Sequence, residues 1–531
     1  MKKYSKFLFI AGISAMSLTS CNLDLEPTDA IHGEVTDTLI QNITMLQSYA
    51  NGVNDGYRGA FYGSLSLCQE VMLDGFNAMQ GYGNNLGPIH RMDASFTSSD
   101  QSTISTWSTY YGALVDINTF IDQVEKFNKK FANNPSYLAA GKIYEAYAHF
   151  YRANAYLELV RHFGKAYESD AAASKNLGVP IVLEYNLDAK PARATVKEVY
   201  DQIKKDLDIA KVGIDMKESA DKKVLKLVGI TTKAQFRMTP TADGLKALMA
   251  RYYLDTKQFD KAAALSKEII DGGKYTLASN MEEMQNEYTY DKGTEAIMVL
   301  PGSVNESGAS TNSYFTRIET NDILVKKFKF PTPMYYSPYY APSLTLIKLY
   351  KSSDLRFQAW FDKRNYPIIT ENSDYNGMYV FSKYVGNPDL TSNGILNGRH
   401  LIKPFMISEM YLINAEANCK AGNVSAAKDI LNKLQAARGA DLTGATIEEI
   451  GDEYFRELVG EGARYNFLKR NHMGTKTRPC QPEAITKNMV VQGPGYEDHK
   501  LSADDYHWTW PIPAREMQIN KNLKQNEGYG E

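Results

Sequence analysis

Near the amino terminus, Leu18-Thr19-Ser20-Cys21 sets a thiol directly after two small side chains, at the end of an apolar run. This spacing resembles the bacterial lipobox, in which the cysteine is diacylated and becomes the first residue of the mature chain. Lys2, Lys3 and Lys6 precede the run from Phe7 to Leu18, so residues 1–20 read as a secretory signal peptide. A spanning helix needs about 20 apolar residues, and this run is shorter. Acyl chains on Cys21 would contribute about 0.8 kcal/mol per buried CH₂, so two or three of them hold a protein at a membrane surface without a spanning segment.

Elsewhere the residue types that run catalysis are present, but not in a catalytic order. The chain has no GxSxG elbow, HExxH helix, Walker A loop or EF-hand loop. The run from Gly81 to Gly87 nears a dinucleotide fingerprint, but its third glycine falls one place late and lacks the strand, helix and downstream acid. His149 and His162 lie in a long amphipathic segment and read as helix residues, not metal ligands. A glycosidase-type carboxylate pair is set by space and has no linear signature. Cys68, Cys419 and Cys480 form no CxxC pair; one disulfide between two of them is left open. Removing Lys2, Lys3 and Lys6 takes the formal charge from −3 to −6, which argues against nucleic acid as a partner. The reading is a binding protein with no catalytic residue, cofactor or metal. The 36 tyrosines, against 4 tryptophans and 21 phenylalanines, suggest wet aromatic surfaces.

The elements that must position such surfaces are mostly helical. From Tyr137, apolar and aromatic residues recur at three- and four-residue spacing until Gly164. Thr241 and Asp243 can cap a helix to about Asp255, and a second helix ends at Gly272-Gly273. Ala250, Tyr252, Phe259, Ala262 and Ala263 give this pair a tetratricopeptide-like hairpin pattern. Ala415, Ala417, Gly422, Ala426 and Ala427 repeat it in a later hairpin. Gly-, Pro-, Asn- and Tyr-rich stretches at 75–99 and 301–384 read as loops. The expected fold is mainly α: a tetratricopeptide-like helical-repeat scaffold with long irregular loop-rich insertions.

The segment from Tyr506, with Pro511-Ile512-Pro513, Glu516, Asn520 and Gln525-Asn526-Glu527-Gly528-Tyr529, closely resembles the ending of the SusD/RagB family of outer-membrane nutrient-binding lipoproteins. Glu453, Arg456, Glu457, Glu461, Gly462 and Arg464 match a second family block; stretches from Phe150 and from Asp354 match two others. One departure is Lys165-Ala166 after Phe163-Gly164, where the family often has a proline. These blocks read physically as fold signatures. Trp508 and Trp510 pack a stiffened Pro-Ile-Pro segment, Arg456, Arg464 and Glu461 pair at helical spacing, and Trp107 packs on an early helix.

The resemblance implies a SusD-like domain over 21–531. Its N-terminal part covers about 21–300 and includes the hairpin at about 241–273; a loop-rich ligand-binding insertion follows at about 301–400. A helical hairpin and closing segment occupy about 401–531. It also implies a surface-exposed lipoprotein, anchored to the outer membrane through Cys21, that passes nutrient oligosaccharide to a SusC-like TonB-dependent transporter. Peptide is the alternative ligand, and a glycosidase the third reading. By the same resemblance, ligand contacts come from Phe76, Asn77, Gln80, Tyr82 and Asn84 in one loop. A second set comes from Tyr314, Arg317, Tyr335, Tyr336, Tyr339 and Tyr340. Tryptophan, the usual stacking residue, is missing from both loops. Phe76, Tyr82, Tyr335, Tyr336 and Tyr339 are expected to be exposed as an aromatic platform.

Overall fold

The segment with the strongest periodicity is one helix, Pro135–Phe163, capped by the Asn134 side chain and followed by Gly164. The computed structural model describes residues 39–530 except 62–63, 81–85, 187, 305–314, 321–333, 364–367, 371–372, 376–377, 384–385, 392–395, 397 and 482–488. It gives backbone alone at 61, 64–65, 317, 319–320, 334, 368–370 and 373–375. Cys21, expected to carry the anchor, therefore lies outside the described residues. Among these, no helix is long and apolar enough to cross a membrane.

Pro135–Phe163 packs between Gln101–Lys130 and Val196–Glu218. The second contact is close because Gly213 has no side chain: a Cβ there would lie 2.4 Å from the Lys142 carbonyl oxygen and 2.5 Å from the Ala146 Cβ. The expected hairpins are Ala242–Asp255 with Phe259–Asp271, and Ile407–Lys420 with Val424–Arg438. Thr241 caps the first of these helices by accepting from the Gly244 amide. Phe259–Asp271 packs directly on Ile407–Lys420, joining hairpins far apart in sequence. Ala262, Ala415, Ala417 and Ala427 are fully buried at these approaches. Asn414 adds a polar link across the joint, donating to the Ala263 carbonyl at 2.8 Å and the Ser266 hydroxyl at 3.0 Å.

The 301–400 insertion is less irregular than its composition implies. Ala296–Leu300 pairs antiparallel with Ile402–Met406, so one two-stranded ribbon closes the base of the insertion. Arg58 reinforces it from the first helix, donating to the Pro301 carbonyl at 2.5 Å. Within the insertion, Thr316–Thr320 pairs antiparallel with Met334–Pro338. Ile368–Thr370 and Ser373–Tyr375 extend that sheet, and Phe361–Asp362 pairs with Val380–Phe381. The prolines near Met334–Pro338 suggest a loop, but Pro338 stands at the strand end, where its missing N–H costs little.

A buried charge network ties the insertion to the C-terminal helices. Arg356 and Arg438 are both fully buried. Arg356 donates to both Asp354 oxygens at 2.9 and 2.7 Å, to Glu453 at 2.5 Å and to Glu457 at 2.9 Å. Arg438 grips Glu295 at 2.7 and 2.9 Å and Glu457 at 2.5 and 3.1 Å. Glu457 thus bridges both guanidinium groups. Burial opposes ionisation of Glu453, but Arg356 and Arg456 outweigh it and hold the carboxyl down at about 2.

The remaining signature charges pair differently from the helical-spacing expectation. Arg456 does pair with Glu453 three residues away, but Arg464 reaches back to Asp74 and Glu461 binds Lys383 at 2.6 Å. The reason is the break between Ile447–Glu457 and Ala463–Arg470, where Gly462, left-handed at φ 74°, stands just before the second helix and redirects the chain. A Cβ at Gly462 would lie 2.0 Å from Gln69 Oε1.

The closing segment explains its own amides. Gln525 accepts from the Ile512 amide at 2.7 Å and donates to the Ile512 carbonyl at 2.9 Å, serving as a one-residue strand partner between two prolines. Asn526 donates to the carbonyls of Phe163 and Trp510 at 3.0 and 2.6 Å. Trp510 is fully buried against His162, ring centroids 4.7 Å apart, and Trp107 packs edge-on to Phe163 at 4.9 Å.

Arg438→Met should destabilise the chain by about 3–5 kcal/mol in urea unfolding, because it leaves Glu295 and Glu457 buried with a lost counter-charge. Glu453 has a folded-state pKa below its unfolded value, so its contribution is present above about pH 4.5 and fades as pH falls toward about 2. Denaturation midpoints measured across that range should fall less steeply with acid in Glu453→Gln than in the parent. Equal slopes would contradict this assignment.

Candidate functional site

The first expected ligand loop begins on a short strand, Phe76–Ala78, held on two sides. Tyr340–Pro342 pairs with it antiparallel, Phe76 opposite Pro342 and Ala78 opposite Tyr340. On the other side, the Gln80 amide donates to the Met489 carbonyl at 2.7 Å and the Val491 amide to the Ala78 carbonyl at 2.8 Å. Three segments remote in sequence therefore meet at the base of this site. Met79, Tyr336, Ala341, Val380, Met489 and Val490 belong to one apolar cluster there.

Two buried polar groups fix the base. Asn77 donates to the Arg478 carbonyl at 2.6 Å. The Arg478 side chain, fully buried, donates to five backbone carbonyls: Val71 at 3.1 Å, Leu73 at 2.8 Å, His90 at 2.6 Å, Gly495 at 3.0 Å and Tyr496 at 2.7 Å. Its planar fork satisfies oxygens from three chain segments with one side chain. Sequence reasoning missed Arg478, and nothing in its neighbourhood, Arg478-Pro479-Cys480-Gln481, distinguishes it from a surface arginine. Missed too is the Met489–Val491 edge, whose signal is a short apolar run before Gly493-Pro494-Gly495.

The expected exposed platform is corrected at most of its described positions. Phe76, Tyr335, Tyr336 and Tyr340 are buried, none more than 4 % exposed. Phe76 packs on Phe315 and Phe381, with centroids 4.5 and 5.4 Å away, so its ring belongs to a phenylalanine cluster. Tyr336 donates to Asp362 at 2.7 Å, and Tyr340 packs on His90. Asn77 is also buried. The physical reason is that both faces of these strands are covered: neighbouring side chains on a strand point to opposite faces, yet consecutive Tyr335 and Tyr336 are both buried, as are Phe76, Asn77 and Ala78. Tyr339 stays half-buried and Gln80 exposed. Tyr82, Asn84 and Tyr314 lie outside the described residues, as does the side chain of Arg317, whose backbone sits in Thr316–Thr320.

Beside the base, Arg91 reaches Asp93 at 2.8 Å, Ser95 at 2.8 Å and the Tyr496 hydroxyl at 2.9 Å. Arg91 is half-buried and follows the Gly81–Asn85 segment closely in sequence, whereas Tyr496 reaches it from the C-terminal part of the chain. Amide, guanidinium and phenol groups such as those of Gln80, Arg91 and Tyr339 can each hydrogen-bond a neutral polar ligand. The described residues hold no group of three histidines, cysteines or carboxylates able to bind a metal. Cys68, Cys419 and Cys480 are free thiols, so no pair of them is bridged.

Comparison with known proteins agrees with this architecture. A family model described as starch-binding, associating with the outer membrane, matches residues 23–223, and the SusD family model matches residues 271–529. The chain belongs to the SusD/RagB family. It is 32 % identical over 127 residues to the starch-binding protein SusD of Bacteroides thetaiotaomicron. That alignment covers 24 % of this chain and about a fifth (21 %) of the relative. Its fold is similar to that of a SusD superfamily protein from the same organism, with TM-score 0.69 and 22 % identity, covering 91 % of this chain and 99 % of the other. A laminarin-binding SusD-like protein has TM-score 0.65 and 20 % identity, with 92 % and 100 % covered.

Burial predicts how the expected aromatics separate on truncation. Phe76→Ala and Tyr340→Ala should each cost about 3–5 kcal/mol of stability. Tyr339→Ala should cost less than about 1 kcal/mol. Urea titrations of the three variants check this, and equal losses in all three would contradict the half-buried placement of Tyr339.

Proposed function

We propose that this chain is a lipid-anchored outer-membrane protein that binds nutrient glycan on the face around Gln80, Tyr339 and Arg91 and delivers it to a SusC-like TonB-dependent transporter. The observation that carries this reading is the family match at both ends of the chain, 23–223 and 271–529. The starch-binding relative and the laminarin-binding structural neighbour favour glycan over peptide as the ligand class. Tyr82, Asn84, Tyr314 and Arg317 join the proposed face by sequence position.

The division of labour is physical. Aromatic rings offer apolar faces to sugar C–H groups, and amides and guanidinium groups take the hydroxyls. Binding and hand-over require no bond to be made or broken in the ligand. The buried Phe76, Tyr335, Tyr336 and Tyr340 would then hold the floor of the site rigid, and contact would fall to the half-buried and exposed residues above it. Acylation of Cys21 would supply the membrane attachment.

Mature protein titrated calorimetrically with starch-type α-glucan and laminarin-type β-glucan oligosaccharides should bind at least one class and leave its chain length unchanged. Tyr339→Ala should weaken that binding roughly tenfold. Binding of peptides with no binding of glycans, or shortening of the oligosaccharide, would overturn the reading. Cys21→Ala, expressed without the transporter, should be lost from the outer-membrane fraction; retention would contradict the lipid anchor.

A further inference from the structure

A second polar space lies away from this face, at the centre of the helical scaffold. A cavity of about 150 Å³ opens where Ser64–Val71, Pro135–Phe163, Ala242–Asp255, Ile407–Lys420 and Ala463–Arg470 converge. None of the residues expected to contact ligand on the loop face lines it.

Its walls carry their charges already matched. Arg161 binds Asp255 at 2.7 Å and Glu158 at 2.8 Å; Arg251 binds Glu409 at 2.6 Å; Arg470 binds Glu416 at 2.5 Å; and Lys403 binds Asp291 at 2.6 Å. Burial also holds His400 neutral, down at about 4. No wall cation is left to recruit an anion, and no wall carboxylate to recruit a cation.

The amides are not matched. Gln69 Nε2 and Asn154 Oδ1 are buried without a hydrogen-bond partner, although Gln69 is 6 % and Asn154 1 % exposed. Asn154 uses its other amide atom on the Tyr57 hydroxyl, at 2.7 Å. Asn466, also lining the cavity, has an unpartnered Oδ1. Each unmet buried polar atom costs about 1–3 kcal/mol, so several around one space favour an occupant that pairs with them. A hydroxyl both donates and accepts, so it satisfies an amide whichever way the amide is turned. Leu254, Met406, Ile413 and Leu458 supply apolar wall between the polar groups.

We infer that this cavity is a binding site for one small neutral polyhydroxy molecule, of monosaccharide size or less. Pockets for drug-sized ligands measure about 300–1,000 Å³, so this space is too small for an oligosaccharide chain. It holds the volume of about five liquid waters, which is the competing occupant. The site is independent of the glycan face and does not rest on that assignment.

The test is ligand-observed saturation-transfer NMR and calorimetry on the full mature protein, with D-glucose, D-galactose and glycerol as probes. Ala463 lines the cavity, and Ala463→Leu fills part of it without removing a hydrogen-bonding side chain. Saturable one-to-one binding of a probe, weakened roughly tenfold or more by Ala463→Leu and unchanged by Tyr339→Ala, is the expected result. No saturable binding of any probe, equal binding by Ala463→Leu, or loss in Tyr339→Ala alone would overturn the inference. If Ala463→Leu fails to fold, a crystal structure of the parent grown with the probe decides. Density for the probe beside Gln69 and Asn154 supports the site, and water alone overturns it.

Discussion

Glu457 is the constraint on which the joint between scaffold and insertion depends. One carboxylate, fully buried, serves the guanidinium groups of both Arg356 and Arg438, and those two arginines reach Asp354, Glu453 and Glu295 in turn. Bare charges in such a place would cost several kcal/mol each, so the network is favourable only when complete. Completeness in turn requires five chain positions to arrive together: the turn at Asp354, the start of Ala296–Leu300, and the helices Val424–Arg438, Leu355–Trp360 and Ile447–Glu457. A hydrophobic joint would tolerate small slips between these elements. A network of forked hydrogen bonds does not, because each guanidinium has a fixed plane.

The same device recurs at lower charge. Arg478 gathers five carbonyls under the loop face, and Arg193 gathers those of Gly178, Leu177, Phe163 and Lys524 while also reaching Asn526. Neither fork is directed at a carboxylate in these bonds. Irregular backbone cannot satisfy its own oxygens as a helix does, so a buried loop crossing needs an outside donor. A fold with long excursions on a helical frame meets that need with single arginines at the crossings.

Helices were legible because their signals are local. The periodicity from Tyr137, the Thr241 cap and the alanine-rich hairpins are all read within a few residues, and each element is found where those signals lie. The loop face was legible only as a region. Phe76, Tyr336 and Tyr340 look alike in sequence, and which of them faces water is decided by partners such as Phe315, Asp362 and His90 that are distant in the chain. Tyrosine is especially ambiguous, because a ring with a hydroxyl suits a core with one acceptor as well as a wet surface. Pairing of Arg464 with Asp74 was unreadable for the same reason: charge spacing along one helix predicts neighbours on that helix and nothing beyond it.

The ribbon of Ala296–Leu300 and Ile402–Met406 brings the two ends of the insertion side by side and pins them to the helical frame. For a segment tethered this way, the entropy of closure grows only with the logarithm of length, about 0.6 kcal/mol per doubling. Additions and deletions beyond the ribbon therefore disturb the frame little where they fall outside Tyr340–Pro342 and Asp354–Trp360, which are fixed to it. A stretch held at fixed points in this way can lengthen or shorten between them while the helices that carry it keep their packing.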